Sequence, residues 1–292
     1  MTASPVIEVE RLHLAYGDFT AVRDLSFQVQ RGELYALLGT NGAGKTSTLE
    51  VIEGHRPATS GTVRLFGESP QDRSAVRPRM GVMLQESGFS ADLTARESVA
   101  LIGALSGRQD DVDRVLGIAG LTRKADTRVG QMSGGEKRRL DFATAVYGGP
   151  ALVILDEPTT GLDIQSRDAL WAAVDRLRDG GSTIVLTTHY LEEAQQRADR
   201  IGLMHEGMLQ REGTVSELTQ ALPSVITFTL PPGAPEPPIV GARNGAFHVE
   251  TFSLQEDLHR LLGWAHDAGV ELVDLTAAPT RLDDVFRAIE AA

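Results

Sequence analysis

The run Gly39-Thr40-Asn41-Gly42-Ala43-Gly44-Lys45-Thr46 constrains this chain more than any other feature. It follows a short apolar strand pattern, Glu33–Gly39, and opens a helical pattern, Thr46–Glu53, in the spacing G-x-x-x-x-G-K-[ST]. Glycines let such a turn wrap so that successive N–H groups point inward at phosphate oxygens. The helix that follows adds the positive end of its dipole. Lys45 then reaches β- and γ-phosphates as a compact charge, and Thr46 offers a hydroxyl to Mg²⁺. Only three of the 28 basic residues are lysines: Lys45, Lys124 and Lys137. An arginine-rich chain keeps a lysine in this loop because a planar guanidinium does not suit the cradle.

The middle of the chain alternates strand and helix patterns, which indicates an α/β core. Ala151–Leu155 and Thr183–Thr187 are continuous apolar runs suited to buried parallel strands. Asp156 and Glu157 follow the first of these directly. Ligands of open α/β sheets bind at the carboxyl ends of strands. Asp156 is therefore expected to hold Mg²⁺. Glu157, directed differently because strand residues alternate sides, is expected to polarise an attacking water. Val6–Gln30 reads as antiparallel strands around Gly17-Asp18, Gly61–Phe66 and Met80–Gln85 as further strands, and Thr94–Arg128 as helices with two polar breaks. Ile201–Gln210 reads as a hairpin turning at Glu206-Gly207.

The 292 residues carry 28 Lys and Arg against 40 Asp and Glu, a net charge of −12. That balance argues against a broad nucleic-acid footprint. The absence of cysteine excludes disulfides and thiolate metal sites. No secretory leader is expected at the N-terminus, and no apolar run approaches the ~20 residues of a membrane helix.

Met132-Ser133-Gly134-Gly135-Glu136, upstream of Asp156, make the sequence resemble the ATP-binding subunit of ABC transporters. Ser133 reads as the cap of a helix beginning near Gly134, itself an anion site. The resemblance implies that Ser133, Gly134, Gly135 and Glu136 contact ATP held by a second ATP-binding subunit in a head-to-tail dimer, in which identical halves suffice. The fifth signature position is commonly Gln; here it is Glu136. The resemblance also gives Gln85 the role of a loop glutamine sensing Mg²⁺ and water, Asp163 a place across the dimer interface, and His189 a bond to the γ-phosphate beside Glu157. Tyr16 matches an aromatic that stacks on adenine. On their own residues, Asp163 reads equally as a helix cap and Tyr16 as a half-buried strand tyrosine.

Thr188-His189-Tyr190-Leu191-Glu192-Glu193-Ala194-Gln195 and the terminal Pro279-Thr280-Arg281-Leu282-Asp283-Asp284-Val285-Phe286 resemble the ABC-2 type drug and polymer export branch, the daunorubicin-resistance-like ATPases. The implied fold is an α/β P-loop ATPase domain over 1–220, with a parallel-sheet core, an antiparallel β subdomain and a helical subdomain at about 86–148. Composition changes after it. Five of the 13 prolines fall in Pro231–Pro238, which excludes regular structure there. A small α+β domain of three strands and a helix is expected over 221–292, with the terminal segment reading equally as a plain packing helix.

The implied function is ATP hydrolysis driving a membrane exporter through a transmembrane permease subunit, at the cytoplasmic face of the membrane, with ATP and Mg²⁺ and no nucleic acid. The segment Glu86–Leu105 is the expected docking surface. A soluble ABC ATPase acting on ribosome or DNA is the alternative. One cassette, no coiled-coil insertion and net negative charge stand against it. A regulatory module that binds ATP without hydrolysis is opposed by the Glu157 and His189 pair.

Overall fold

The computed structural model describes residues 4–85, 88–220, 222–239, 241–244 and 246–290. Two compact units divide the chain, Met1–Glu212 and Gly213–Ala292. In the first, the elements in order are β1 (Ile7–Tyr16), β2 (Phe19–Val29), β3 (Leu34–Gly39), α1 (Lys45–Ile52), β4 (Ser60–Leu65), α2 (Arg73–Val76), β5 (Met80–Met83), α3 (Ala95–Ser106), α4 (Val112–Ile118), α5 (Gly134–Val146), β6 (Leu152–Asp156), α6 (Ile164–Asp179), β7 (Thr183–Thr188), α7 (Leu191–Arg197), β8 (Arg200–His205) and β9 (Met208–Gly213).

The sheet β5-β6-β7-β3-β8-β9 has parallel pairs from β5 through β8. All residues of β3, β6 and β7 are buried. This is why these strands read as unbroken apolar runs: both faces are covered. Their register decides where chemistry happens. Asp156 lies beside Thr187, and Leu37 and Leu38 lie beside Thr187 and Thr188. The strand after which the glycine loop begins and the strand that ends in acids therefore finish at one level, with β7 between them. A second sheet, β2-β1-β4, is antiparallel, and its inward residues Leu12, Leu14, Val22, Leu25 and Val63 join the core with β3 and α1.

Helices α3, α4 and α5 pack on one another. Thr94 and Glu97 cap α3 reciprocally. Gly103 has no room for a side chain, since a Cβ there would meet the Tyr147 ring at 2.5 Å. Glu86 and Ser87, which open the segment expected to meet a membrane partner, lie outside the described residues.

The second unit contains α8 (Val215–Gln220), β10 (Ser224–Thr229), β11 (Ala242–Asn244), β12 (Ala246–Thr251), α9 (Leu254–Ala268), β13 (Val273–Ala278) and α10 (Leu282–Glu290). Its antiparallel sheet runs β11-β12-β10-β13. Ile226, Phe228, Val249 and Leu261 form its own core, with Leu254, Leu258 and Trp264 of α9 packed against it. Two features depart from expectation. β11 is a fourth strand, too short at three residues to show an alternation. The strand expected at Glu271–Leu275 is β13, Val273–Ala278, whose end Thr276-Ala277-Ala278 is made of small residues that carry little strand signal. Thr214 and Glu217 form a capping box at α8. Among the described residues, no helix is long and apolar enough to cross a membrane.

Ile154, on the interior strand β6, is fully buried in the core of the first unit. Ile154→Ala should remove about 2–5 kcal/mol of that unit's stability. Chemical unfolding followed through Trp171, in a Trp264→Phe background so that only the first unit reports, checks this.

Candidate active site

The loop between β3 and α1 is built by exclusion of side chains. A Cβ on Gly39 would lie 2.5 Å from the Met204 carbonyl oxygen, and one on Gly44 would lie 2.5 Å from that of Ala21. Gly42 and Gly44 have φ of 82° and 97°, where only glycine is unstrained. Gly44 caps α1 without a side-chain bond, so no side chain covers the first-turn N–H groups. Lys45 is buried, and its ammonium donates to the carbonyls of Gly39 (2.8 Å) and Thr40 (3.1 Å). Burial lowers its pKa, against the pull of Glu157 and Asp156.

At the end of β6, Asp156 Oδ2 stands 3.5 Å from Thr46 Oγ1. The Thr187 hydroxyl donates to Asp156 Oδ1 and accepts the Glu157 N–H at 3.1 Å. Burial raises the pKa of Asp156; the Thr187 hydrogen bond opposes the rise and the Glu157 charge adds to it. Glu157 does not continue the strand. Its φ of 48° turns it out of β6, so left-handed backbone, rather than strand alternation, gives it a direction different from Asp156. Glu157 Oε2 lies 2.7 Å from His189 Nδ1 and accepts from the Thr160 hydroxyl at 3.1 Å. Glu157 Oε1 lies 3.9 Å from Lys45 Nζ.

A cleft of about 240 Å³ is lined by Asn41, Gly42, Gly44, Lys45, Thr46, Gln85 and Glu157. Exposed Phe19 also lines it, a residue that sequence reasoning passed over. The cradle, the lysine and the neighbouring hydroxyl and carboxylate fit a nucleoside triphosphate with a divalent cation.

Tyr16 is not among the residues lining this cleft. Its hydroxyl donates to Glu50 Oε2 (2.8 Å) and lies 3.3 Å from Ser47 Oγ, both on α1, and the Arg56 guanidinium lies 4.4 Å from its ring centre. Glu50 and Arg56, which brace the ring, carried no sequence signal.

Ser133, Gly134, Gly135 and Glu136 form a second group, sharing no hydrogen bond or ion pair with the loop at Lys45 among the described residues. Ser133 and Gly134 are exposed. Ser133 Oγ accepts from the Glu136 N–H, and Glu136 Oε2 accepts from the Ser133 N–H at 2.9 Å, closing a capping box on α5. Lys124 Nζ sits 3.0 Å from Glu136 Oε1. The Ser133 N–H and Lys124 hold the Glu136 pKa below its usual value. A Cβ on Gly135 would meet Ser166 of α6 at 2.4 Å, so the signature glycine packs against the helix that Asp163 caps. Asp163 Oδ1 accepts from the Ser166 N–H at 2.7 Å, which fulfils the cap reading.

Sequence reasoning missed Arg138. It is buried, and its guanidinium donates to the carbonyls of Leu84 (2.5 Å), Gln85 (3.0 Å), Asp156 (2.6 Å), Glu157 (2.8 Å) and Pro158 (3.1 Å). The available signal was its place four residues before Phe142 and seven before Ala145, on the buried face of α5.

Residues 22–160 match the family described as ABC transporter, and residues 224–280 match the C-terminal domain described as ABC transporter domain-containing protein-like. The Nod factor export ATP-binding protein I of Paraburkholderia xenovorans is 42% identical over 218 residues, 73% of this chain and 72% of that one. The protein of the same name from Burkholderia lata is 40% identical over 221 residues, 74% and 73% of the two chains. A solved ATP-binding subunit of an ABC transporter superposes with a TM-score of 0.68 at 26% identity, covering 74% of this chain and 92% of that one. A second solved ATP-binding cassette, a dimer in a post-hydrolysis state bound to ADP and Pi, shares the fold with a TM-score of 0.65 at 24% identity, covering 71% of this chain and 98% of that one. With a glycine cradle, a buried lysine and a strand-end carboxylate pair at the carboxyl ends of neighbouring strands, this chain belongs to the ATP-binding subunits of ABC transporters and is an ATPase.

Proposed function

We propose that the chain powers an ABC-2 type membrane exporter by closing head-to-tail with a second copy over two ATP molecules and reopening after hydrolysis. It would work at the cytoplasmic face of the membrane, attached through a transmembrane permease. The export assignment draws on the relatives named for Nod factor export and on the Pro279–Phe286 segment. The observation that carries the catalytic reading is the Glu157–His189 contact of 2.7 Å beside the buried lysine.

In this reading the triphosphate lies along Gly39–Thr46, with Lys45 exchanging its two carbonyl partners for phosphate oxygens. Thr46, Asp156 and Gln85 would hold Mg²⁺, which would supply positive charge to the phosphate oxygens. Glu157 accepts a proton from water as the water oxygen bonds to the γ-phosphorus and the bond to the β,γ-bridging oxygen breaks. His189 keeps the carboxylate and the γ-phosphate aligned. Adenine lies toward Tyr16, held upright by Glu50 and Arg56.

The exposed Ser133–Gly134 corner at the start of α5 supports the pairing. Its own capping box takes the Ser133 and Glu136 N–H groups, so the exposed start of α5 offers a nucleotide of another molecule the remaining first-turn N–H groups and the helix dipole. Asp163, next to Gly135 through Ser166, lies along the same face. Glu136 places a carboxylate where an anion would arrive, and Lys124 offsets it. That accounts for a second lysine in an arginine-rich chain.

Glu157→Gln should keep nucleotide binding and lower steady-state hydrolysis at least about 100-fold. It should also accumulate an ATP-bound dimer, read by phosphate release and by sedimentation. Parent-level hydrolysis would remove Glu157 from its role. In the same background, Lys124→Ala should weaken analogue-driven pairing about 3–5-fold, the equivalent of an exposed ion pair. Adding Glu136→Gln should restore it. Pairing indifferent to Lys124 would contradict the charge argument.

A further inference from the structure

Arg138 is the residue that the catalytic reading leaves without a task. A guanidinium has five N–H donors. Here all five are spent on main-chain carbonyls: Nη1 on Leu84 and Gln85, Nη2 on Asp156 and Glu157, and Nε on Pro158. The side chain is buried, and burial lowers its pKa, with Asp141, Asp156 and Glu157 holding the charge in place. Asp141 is its nearest carboxylate, at 3.9 Å. A charge taken this far out of water needs such a complete set of partners.

The five carbonyls come from two segments that share no covalent connection nearby. One is the end of β5, where the chain turns toward the cleft at Gln85; the other is the end of β6, which carries Asp156 and Glu157. Arg138 itself lies on α5, one and a half turns after the Ser133 cap. One rigid planar group therefore joins the signature helix to both walls of the cleft. Its grip matters most at Glu157. That residue is held in left-handed backbone from both sides, its N–H by Thr187 and its carbonyl by Arg138. Without the second hold, a non-glycine residue relaxes out of that region and takes its carboxylate with it.

Resting on the catalytic reading above, we propose that Arg138 is a positioning residue that makes the alignment of Glu157 and Gln85 depend on the position of α5. When the Ser133 corner engages a nucleotide on a second copy, the shift of α5 is passed through Arg138 to the base and to the glutamine loop. Hydrolysis then proceeds only when the corner is engaged. The carbonyl array also explains the residue type. A lysine offers three donors on a point charge and cannot hold five acceptors in one plane.

The experiment uses the full chain with Arg138→Lys and Arg138→Ala, beside Glu157→Gln as control. Nucleotide affinity is read with a fluorescent ATP analogue, turnover by phosphate release, and amide hydrogen exchange is followed at 84–85 and 156–157. Arg138→Lys should fold, bind the analogue within about threefold of the parent, and lose about 10–100-fold in kcat, the scale of a misplaced reacting group. Exchange should rise together in the two segments and stay unchanged in 39–46. Should Arg138→Ala not fold, the lysine variant decides alone. A folded Arg138→Lys with kcat within twofold of the parent overturns the inference. So does a loss of affinity as large as the loss of kcat, which marks a general packing role. If Glu157→Gln is inactive while Arg138→Lys is not, the inference alone fails. If Glu157→Gln hydrolyses normally, the catalytic reading fails first.

Discussion

Four buried ionisable groups meet where β3 and β6 end: Lys45, Arg138, Asp156 and Glu157. Two are cations and two are anions, and each is costly to bury alone. Together they hold one another's charge. Lys45 lies 3.9 Å from Glu157, and Arg138 is drawn by both carboxylates. The array is not a set of tight salt bridges, however. Both cations spend their hydrogen bonds on main-chain carbonyls, Lys45 on Gly39 and Thr40, Arg138 on five others. The cations thus fix backbone, and Asp156 Oδ2 and Glu157 Oε1 keep only long contacts, to Thr46 at 3.5 Å and to Lys45 at 3.9 Å, which a ligand can replace. A site whose charges were fully paired would have nothing left for a triphosphate.

The sheet register makes this meeting possible, and that is the part of the fold most legible in the sequence. The glycine loop is contiguous, so its residues cannot be separated by folding. The apolar run before Asp156 is long enough to declare a covered strand. Other elements were legible only in kind. Asp163 and Ser133 announce helix starts by residue type, and both cap as their side chains require. What a helix start then faces is a matter of tertiary arrangement. The three-residue strand Ala242–Asn244 has too few positions to show a period.

Arg138 marks the limit from the other side. In Glu136-Lys137-Arg138-Arg139 it sits among charges, and such a run reads as a solvated helix face. Only the spacing to Phe142 and Ala145 contradicts that, and a single residue is a weak vote against its neighbours. The left-handed backbone at Glu157 was equally hidden. It depends on Thr187, thirty residues away in sequence, and on Arg138 from a different helix. Local pattern carries no trace of a conformation imposed from both sides by distant groups.

The contrast between the two anion sites follows from the same physics. The loop at Lys45 joins β3 to α1, and both pack in an extensive core, so its place follows the register of the sheet. The Ser133 corner caps an exposed helix end, where its orientation follows α5 rather than the sheet. One site is fixed by the strand ends and the other rides on α5, which packs on β5 and α6 and whose Arg138 grips the backbone on both walls of the cleft. Affinity for a nucleotide and commitment to cleave it can then be set by different parts of the chain, because only the second requires α5 to stand where Arg138 aligns Glu157.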